Sequence, residues 1–158
     1  MINKSKITIG IIGLGYVGTP LALSLGRFFN VVGFDLNKKR ISQLKKKNDS
    51  TKETTLIDFK KAKKIIFSYR LNDLKNCNIF IITVPSPVTK SNKPNFYFLI
   101  KASKIVAQVM KKNSIVVYES TVYPGATEEH CIPILEKESH LKYNKDFFCG
   151  YSPERINP

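Results

Sequence analysis

Short apolar runs alternate along this chain with longer segments whose apolar residues recur every three or four positions. The runs open at Ile7, Val31, Ile65, Ile79 and Ile115, and a last one lies within D-F-F-C-G-Y at residues 146–151. β-Branched and aromatic residues dominate them, as strands require. The run I-F-I-I-T-V at 79–84 has no polar face, which predicts a strand buried on both sides of a parallel sheet. Helical spacing covers residues 17–29 and 96–110; in the second, Leu99, Ala102, Ile105, Val106 and Val109 form the stripe, with Lys101, Lys104, Lys111 and Lys112 toward solvent. Ile41 and Leu44 give residues 37–47 a narrower stripe, and a further helix is expected over 126–137. Residues 48–55 are polar and predict a loop, followed by a short helix before the strand at 65–68. Strand and helix alternate without a repeat. The prediction is one α/β domain over residues 1–158: a doubly wound, mainly parallel sheet with helices on both faces.

The first strand and its helix are joined by G-L-G-Y-V-G, which sets Gly13, Gly15 and Gly18 at the spacing G-x-G-x-x-G. In a strand-to-helix turn this is the Rossmann-type fingerprint: the first glycine permits the tight turn, the second admits a pyrophosphate to the backbone, and the third lets helix and strand pack closely. The helix N-terminus then offers N–H groups and the positive end of its dipole to an anion. Asp35 closes the second strand about 20 residues further on, where an acid accepts hydrogen bonds from an adenosine ribose. A ligand-free glycine turn shares the triplet but not the strand, helix and terminal acid around it. Because a carboxylate repels a 2′-phosphate, Asp35 favours NAD over NADP, although Arg40 is a residue type able to hold such a phosphate. Pro85 and Pro87 end the strand opened by Ile79, and the trio Glu119, Ser120 and Thr121 follows the strand opened by Ile115. Both sit at the strand ends where ligands bind in open α/β sheets.

Composition narrows the remaining classes. A chain of 158 residues with 42% hydrophobic content buries about 70% of its unfolded surface without staples. No apolar run approaches the ~18 residues of a membrane span, and M-I-N-K-S-K opens no secretory cleavage pattern, so a cytoplasmic protein is expected. Cys77, Cys131 and Cys149 form an odd set without C-x-x-C spacing and read as buried thiols in a reducing compartment. His130 stands beside Cys131 without a second ligand pair, so no metal is expected, and His130 and His140 read as surface or packing residues. The net charge of +14 raises nucleic-acid binding as a rival function. Its lysines cluster at 45–47 and at 60, 61, 63 and 64 with few aromatics and little arginine, which supports non-specific attraction and a solvated surface that draws anionic ligands.

Four ordered motifs, G-L-G-Y-V-G, T-V-P-S-P, Y-E-S-T-V-Y-P-G-A-T-E and Y-S-P-E-R-I-N-P, resemble the NAD-binding N-terminal domain of the UDP-glucose/GDP-mannose dehydrogenases. Within that family the chain is most similar to the UDP-N-acetylhexosamine 6-dehydrogenases, which make uronic acids for bacterial surface polysaccharides. The resemblance implies an oxidoreductase that converts the C6 alcohol of a UDP-sugar to a carboxylate with two NAD in succession. In such enzymes the first hydride transfer gives an aldehyde, a cysteine captures it as a thiohemiacetal, and the second transfer gives a thioester that water hydrolyses. Carried onto this chain, Gly13, Gly15, Tyr16, Val17 and Gly18 would bind pyrophosphate, Asp35 the ribose, and Arg40 would flank the adenosine. Val84, Pro85, Ser86, Glu119, Ser120, Thr121 and Glu154 would approach the nicotinamide half, with Thr121 and Glu154 as catalytic residues that position a water or assist proton transfer.

From the residues alone, Thr121 equally fits a turn or helix-cap hydroxyl, and Glu154 an acid paired with Arg155. The chain departs from the family pattern at Ser86, Asn95 and Cys149, where threonine, aspartate and an aliphatic residue are usual. The family's nucleophilic cysteine, its essential lysine, most sugar-binding residues and the homo-oligomer contacts belong to a central helix and C-terminal domain that follow the region matched here. The expectation is therefore a cofactor half, inactive alone, with Cys149 no substitute for the nucleophile. A stand-alone NAD-binding module and, more remotely, a basic nucleic-acid binder are the alternatives.

Overall fold

The computed structural model describes residues 7–87, 94–120, 122–123 and 125–152. Its six strands are β1 (Thr8–Ile12), β2 (Asn30–Phe34), β3 (Ile65–Ser68), β4 (Ile79–Ile82), β5 (Ser114–Tyr118) and β6 (Phe147–Tyr151), in spatial order β3-β2-β1-β4-β5-β6. Every neighbouring pair is parallel; Ile9 stands level with Val31 of β2 and Ile79 of β4. The chain starts at the sheet centre, winds out to β3 and returns to the other side of β1. Strand order therefore reverses between β1 and β4, and a crevice opens there at the strand C-termini.

Among the described residues five α-helices cover the faces: α1 (Gly18–Leu25), α2 (Lys38–Lys45), α3 (Leu56–Lys61), α4 (Tyr97–Ala107) and α5 (Ile132–Ser139). The two-residue period of β1 divides the core. Ile9 and Ile11 pack with Ala22 and Leu23 of α1, Ile41 and Leu44 of α2 and Phe59 of α3. Ile12 points the other way, into a cluster with Phe80, Ile82, Leu99, Ala102, Val106 and Leu135. In β4, Ile79 and Ile81 join the first cluster while Phe80 and Ile82 join the second, so the strand without a polar face is covered on both sides. The doubly wound parallel architecture read from the sequence is the one formed.

Element ends differ in detail. α1 stops at Gly26, its C-cap, short of residue 29, and α4 ends at Ala107. The last helix begins as a π-helical turn at Thr127–Cys131 and becomes α-helical only at Ile132. Pro133 has no N–H for the carbonyl four residues back, so the hydrogen-bond ladder widens by one residue before it. Cys77 and Cys131 are buried as expected, whereas Cys149 is only half-buried because β6 is an edge strand. Among the described residues no helix is long and apolar enough to cross a membrane, and no group of three metal-ligating side chains converges.

Candidate functional site

A cavity of about 580 Å³ occupies the crevice beyond the C-termini of β1, β2, β4 and β5. Of the residues selected from the sequence, Gly13, Gly15, Tyr16, Val17, Asp35, Arg40, Val84, Pro85, Ser86, Glu119 and Ser120 line it. Gly18 does not reach the cavity and acts from beneath. Thr121 and Glu154 lie outside the described residues.

The glycine turn forms the cavity floor. Gly13 adopts φ +99°, a backbone conformation that side chains rarely take. Its N–H donates to Phe34 O at 2.9 Å and its carbonyl accepts the Thr83 hydroxyl at 2.6 Å, so the turn is fastened to both β2 and the end of β4. At Gly18 a Cβ would lie 1.9 Å from Gly13 O and 2.5 Å from Thr83 Oγ1. Helix start and turn therefore touch backbone to backbone. At Gly15 the situation is reversed: nothing stands within 4 Å of a Cβ position, and the residue faces the cavity. The N-terminus of α1 has neither a side-chain cap nor an acid in its first turn, which suits an anion from outside. Open space over Gly15 beside an uncapped helix N-terminus fits a pyrophosphate.

The peptide between the first two glycines is gripped from both sides. The Leu14 N–H donates to Asp35 Oδ2 at 2.9 Å, while the Leu14 carbonyl accepts Arg40 Nε at 2.7 Å and the Thr19 hydroxyl at 2.9 Å. Asp35 also accepts the Asn37 N–H on Oδ1 at 2.8 Å. Each carboxylate oxygen keeps further acceptor capacity for ribose hydroxyls.

Arg40 borders the cavity but is 7% exposed and engaged by protein partners. Its Nη2 donates to Thr19 Oγ1 at 2.8 Å and to Asp49 Oδ1 at 2.7 Å, and Nη1 donates to Ser50 Oγ at 3.0 Å. The Asp49 side chain is 1% exposed and also accepts the Thr51 N–H, the Thr51 hydroxyl and the Thr54 hydroxyl. Burial by itself raises its pKa; the hydrogen bonds from Thr51, Thr54 and Arg40 outweigh that and hold the carboxyl below its ordinary value.

At the opposite end, the Ser120 hydroxyl donates to Val84 O at 2.5 Å and ties the end of β5 to the segment after β4. Glu119 and Ser86 stand on the same wall. Several lining or bracing residues were not legible as such. Asp49, Ser50 and Thr51 belong to a stretch whose sequence marks only a polar loop, Thr83 to a strand, and Phe98, Ala102 and Ile105 to a helix whose sequence shows only its apolar stripe. The one available signal was an acidic and hydroxyl-rich loop, D-S-T-K-E-T-T, soon after an arginine.

The family model described as the NAD binding domain of the UDP-glucose/GDP-mannose dehydrogenase family matches residues 7–158. Over 152 residues the chain is 52% identical to the UDP-N-acetyl-D-glucosamine 6-dehydrogenase of Pseudomonas aeruginosa, covering 96% of this chain and 36% of that protein. It is 51% identical over 158 residues to the protein of the same name from Salmonella typhi, covering 100% of this chain and 37% of the relative. A solved UDP-D-ManNAc dehydrogenase from Pyrococcus horikoshii matches with a TM-score of 0.90 at 32% identity, across 96% of this chain and 37% of that one. The chain thus spans little more than a third of the length of these relatives. The match across nearly the whole sequence, together with the glycine turn and its cavity, shows that the chain belongs to the UDP-glucose/GDP-mannose dehydrogenase family and carries its NAD binding domain.

Proposed function

We propose that this chain is the cofactor half of a UDP-N-acetylhexosamine 6-dehydrogenase, which oxidises the C6 alcohol of its UDP-sugar to the uronic acid with two NAD per sugar. The observation that carries this reading is the 52% identity to a UDP-N-acetyl-D-glucosamine 6-dehydrogenase across 96% of the chain. NAD, when bound, supplies the hydride acceptor. The chain's own residues bind and orient it: the backbone at Gly13, Gly15, Tyr16 and Val17 receives the pyrophosphate, with Gly18 holding the helix start against the turn. Asp35 receives the adenosine ribose, and Arg40 braces that end. Val84, Pro85, Ser86, Glu119 and Ser120 form the wall for the nicotinamide half. Thr121 and Glu154 are the proposed catalytic residues, holding a water or moving a proton at the sugar's C6. The reading includes a cytoplasmic location, supported by three unpaired thiols, and a homo-oligomer joined through parts of the family fold outside this chain.

Calorimetric titration with NAD should show one saturable site on this chain, with no turnover of UDP-sugars by the chain alone. An enzyme carrying this domain should release two NADH per UDP-N-acetylglucosamine. Thr121→Ala and Glu154→Gln should each lower its kcat about a hundredfold or more while NAD binding changes less. One NADH per sugar, or full activity in both variants, would contradict the reading.

A further inference from the structure

We propose that Asp49 is a specificity-determining residue: by neutralising Arg40 it keeps the adenosine end of the site selective for a free ribose 2′-hydroxyl over a 2′-phosphate. The inference rests on the NAD-binding reading and adds to it a residue that does not itself line the cavity.

Arg40 poses a problem that its surroundings resolve. Its Nε and Nη2 groups hold the Leu14 carbonyl and the Thr19 hydroxyl, so the arginine braces the glycine turn. An arginine at the cavity edge, five residues after the ribose-binding acid, is nevertheless a ready fork for a phosphate. Asp49 separates these two roles. It takes the guanidinium at 2.7 Å, with side-chain exposures of 8% for Arg40 and 1% for Asp49. Thr51 and Thr54 donate three further hydrogen bonds to its carboxylate, which keep it ionised and fixed. Asp35, Arg40 and Asp49 together carry one net negative charge at this end of the cavity. Exchange of Asp49 for asparagine removes that net charge and leaves the guanidinium without a counter-ion. The other cation on the first turn of α2 with a defined partner, Lys38, places its ammonium 5.2 Å from the centre of the Tyr69 ring. Neither Lys38 nor its neighbour Lys39 lines the cavity, whereas Arg40 does, so Arg40 is the cation of this helix turn that a 2′-phosphate would meet.

The test is a calorimetric titration of NAD and of NADP into this chain and into Asp49→Asn, Arg40→Gln and the double variant, at one ionic strength. In Asp49→Asn the ratio Kd(NADP)/Kd(NAD) should fall about tenfold or more, the effect of one unit charge several ångströms from a phosphate near a protein surface. In the double variant the ratio should return to that of the unaltered chain. In Arg40→Gln it should stay or rise. A role for Asp49 in loop structure alone weakens both dinucleotides together and leaves the ratio unmoved, so an unchanged ratio in Asp49→Asn overturns the proposal. An equal fall in the double variant overturns it too. Should Asp49→Asn fail to fold, Arg40→Gln still decides, since a lowered ratio there contradicts the charge balance. Failure of the unaltered chain to bind NAD would instead overturn the underlying reading of the domain.

Discussion

Exchanging Gly18 and, separately, Gly15 for alanine should split the glycine turn into a structural and a ligand-facing half. At Gly18 the new methyl would stand 1.9 Å from Gly13 O, whereas real Cβ contacts stay beyond 3.0 Å, so helix and turn must part by roughly 1 Å. The atom in the way is backbone, held by Thr83 at 2.6 Å, and cannot swing aside. Overpacking of this kind costs about 3 kcal/mol. Alanine's better helix propensity offsets at most about 1 kcal/mol of that. The net loss of about 2 kcal/mol corresponds to a Tm lower by about 4–8 °C for a domain of this size. At Gly15 no atom lies within 4 Å of the Cβ and φ is not in the left-handed region. Gly15→Ala should therefore keep its stability or gain about 0.4–1 kcal/mol through the unfolded chain. Its methyl would fill the space assigned to the pyrophosphate, weakening NAD at least about tenfold, or 1.4 kcal/mol. Urea unfolding followed by circular dichroism reads the first quantity, and calorimetry reads the second. A Gly15→Ala chain that binds NAD as tightly as the parent would refute the placement of the pyrophosphate, and an equally stable Gly18→Ala chain would refute the packing reading.

Asp49→Ala leaves the Arg40 guanidinium buried without its counter-ion and should cost about 3–5 kcal/mol in urea unfolding. Because the folded pKa of Asp49 lies below its ordinary value of 3.8, the unfolded chain binds this proton first as the solution is acidified. The stabilisation is therefore present above about pH 4 and is lost as pH falls through the folded pKa, so the stability gap between parent and Asp49→Asn should narrow there. Thr83→Val removes the hydroxyl that donates to Gly13 O at 2.6 Å and should cost about 1–3 kcal/mol, measured the same way. Burial pushes the Cys77 thiol up to about 12; at Cys149 burial, then the neighbouring Cys131 and Glu128, has the same result. Both should react with iodoacetamide at pH 8 far more slowly than after urea unfolds the chain, Cys77 more slowly than the half-buried Cys149, and rapid native labelling of Cys77 would show that its sulfur is not shielded as described.

Much of the fold was legible because its signals are local. A strand covered on both faces must be apolar at every position, and residues 79–84 advertise that without reference to any partner. The glycine turn is equally local, since φ +99° at Gly13 and close packing at Gly18 are demands on single residues. The ends of elements were less legible. Pro133 disturbs a helix that periodicity alone continues, and the end of α1 at Gly26 depends on a turn that packs against Ala62 and Ile65.

The site divides along the same line. Sequence by itself determined the strand–turn–helix, the acid at the end of β2 and the alternation that makes a doubly wound sheet, because each depends on backbone preference or short-range periodicity. Only the tertiary structure decided what holds these parts in place. Thr83 meets Gly13 across 70 positions because β4 pairs with β1 in one register. Arg40 is turned inward rather than toward solvent because a loop nine residues later folds back and presents Asp49. Hydrogen bonds and ion pairs of this range are specified by the relative placement of elements packed together, and no window along the chain contains both partners and the geometry that joins them.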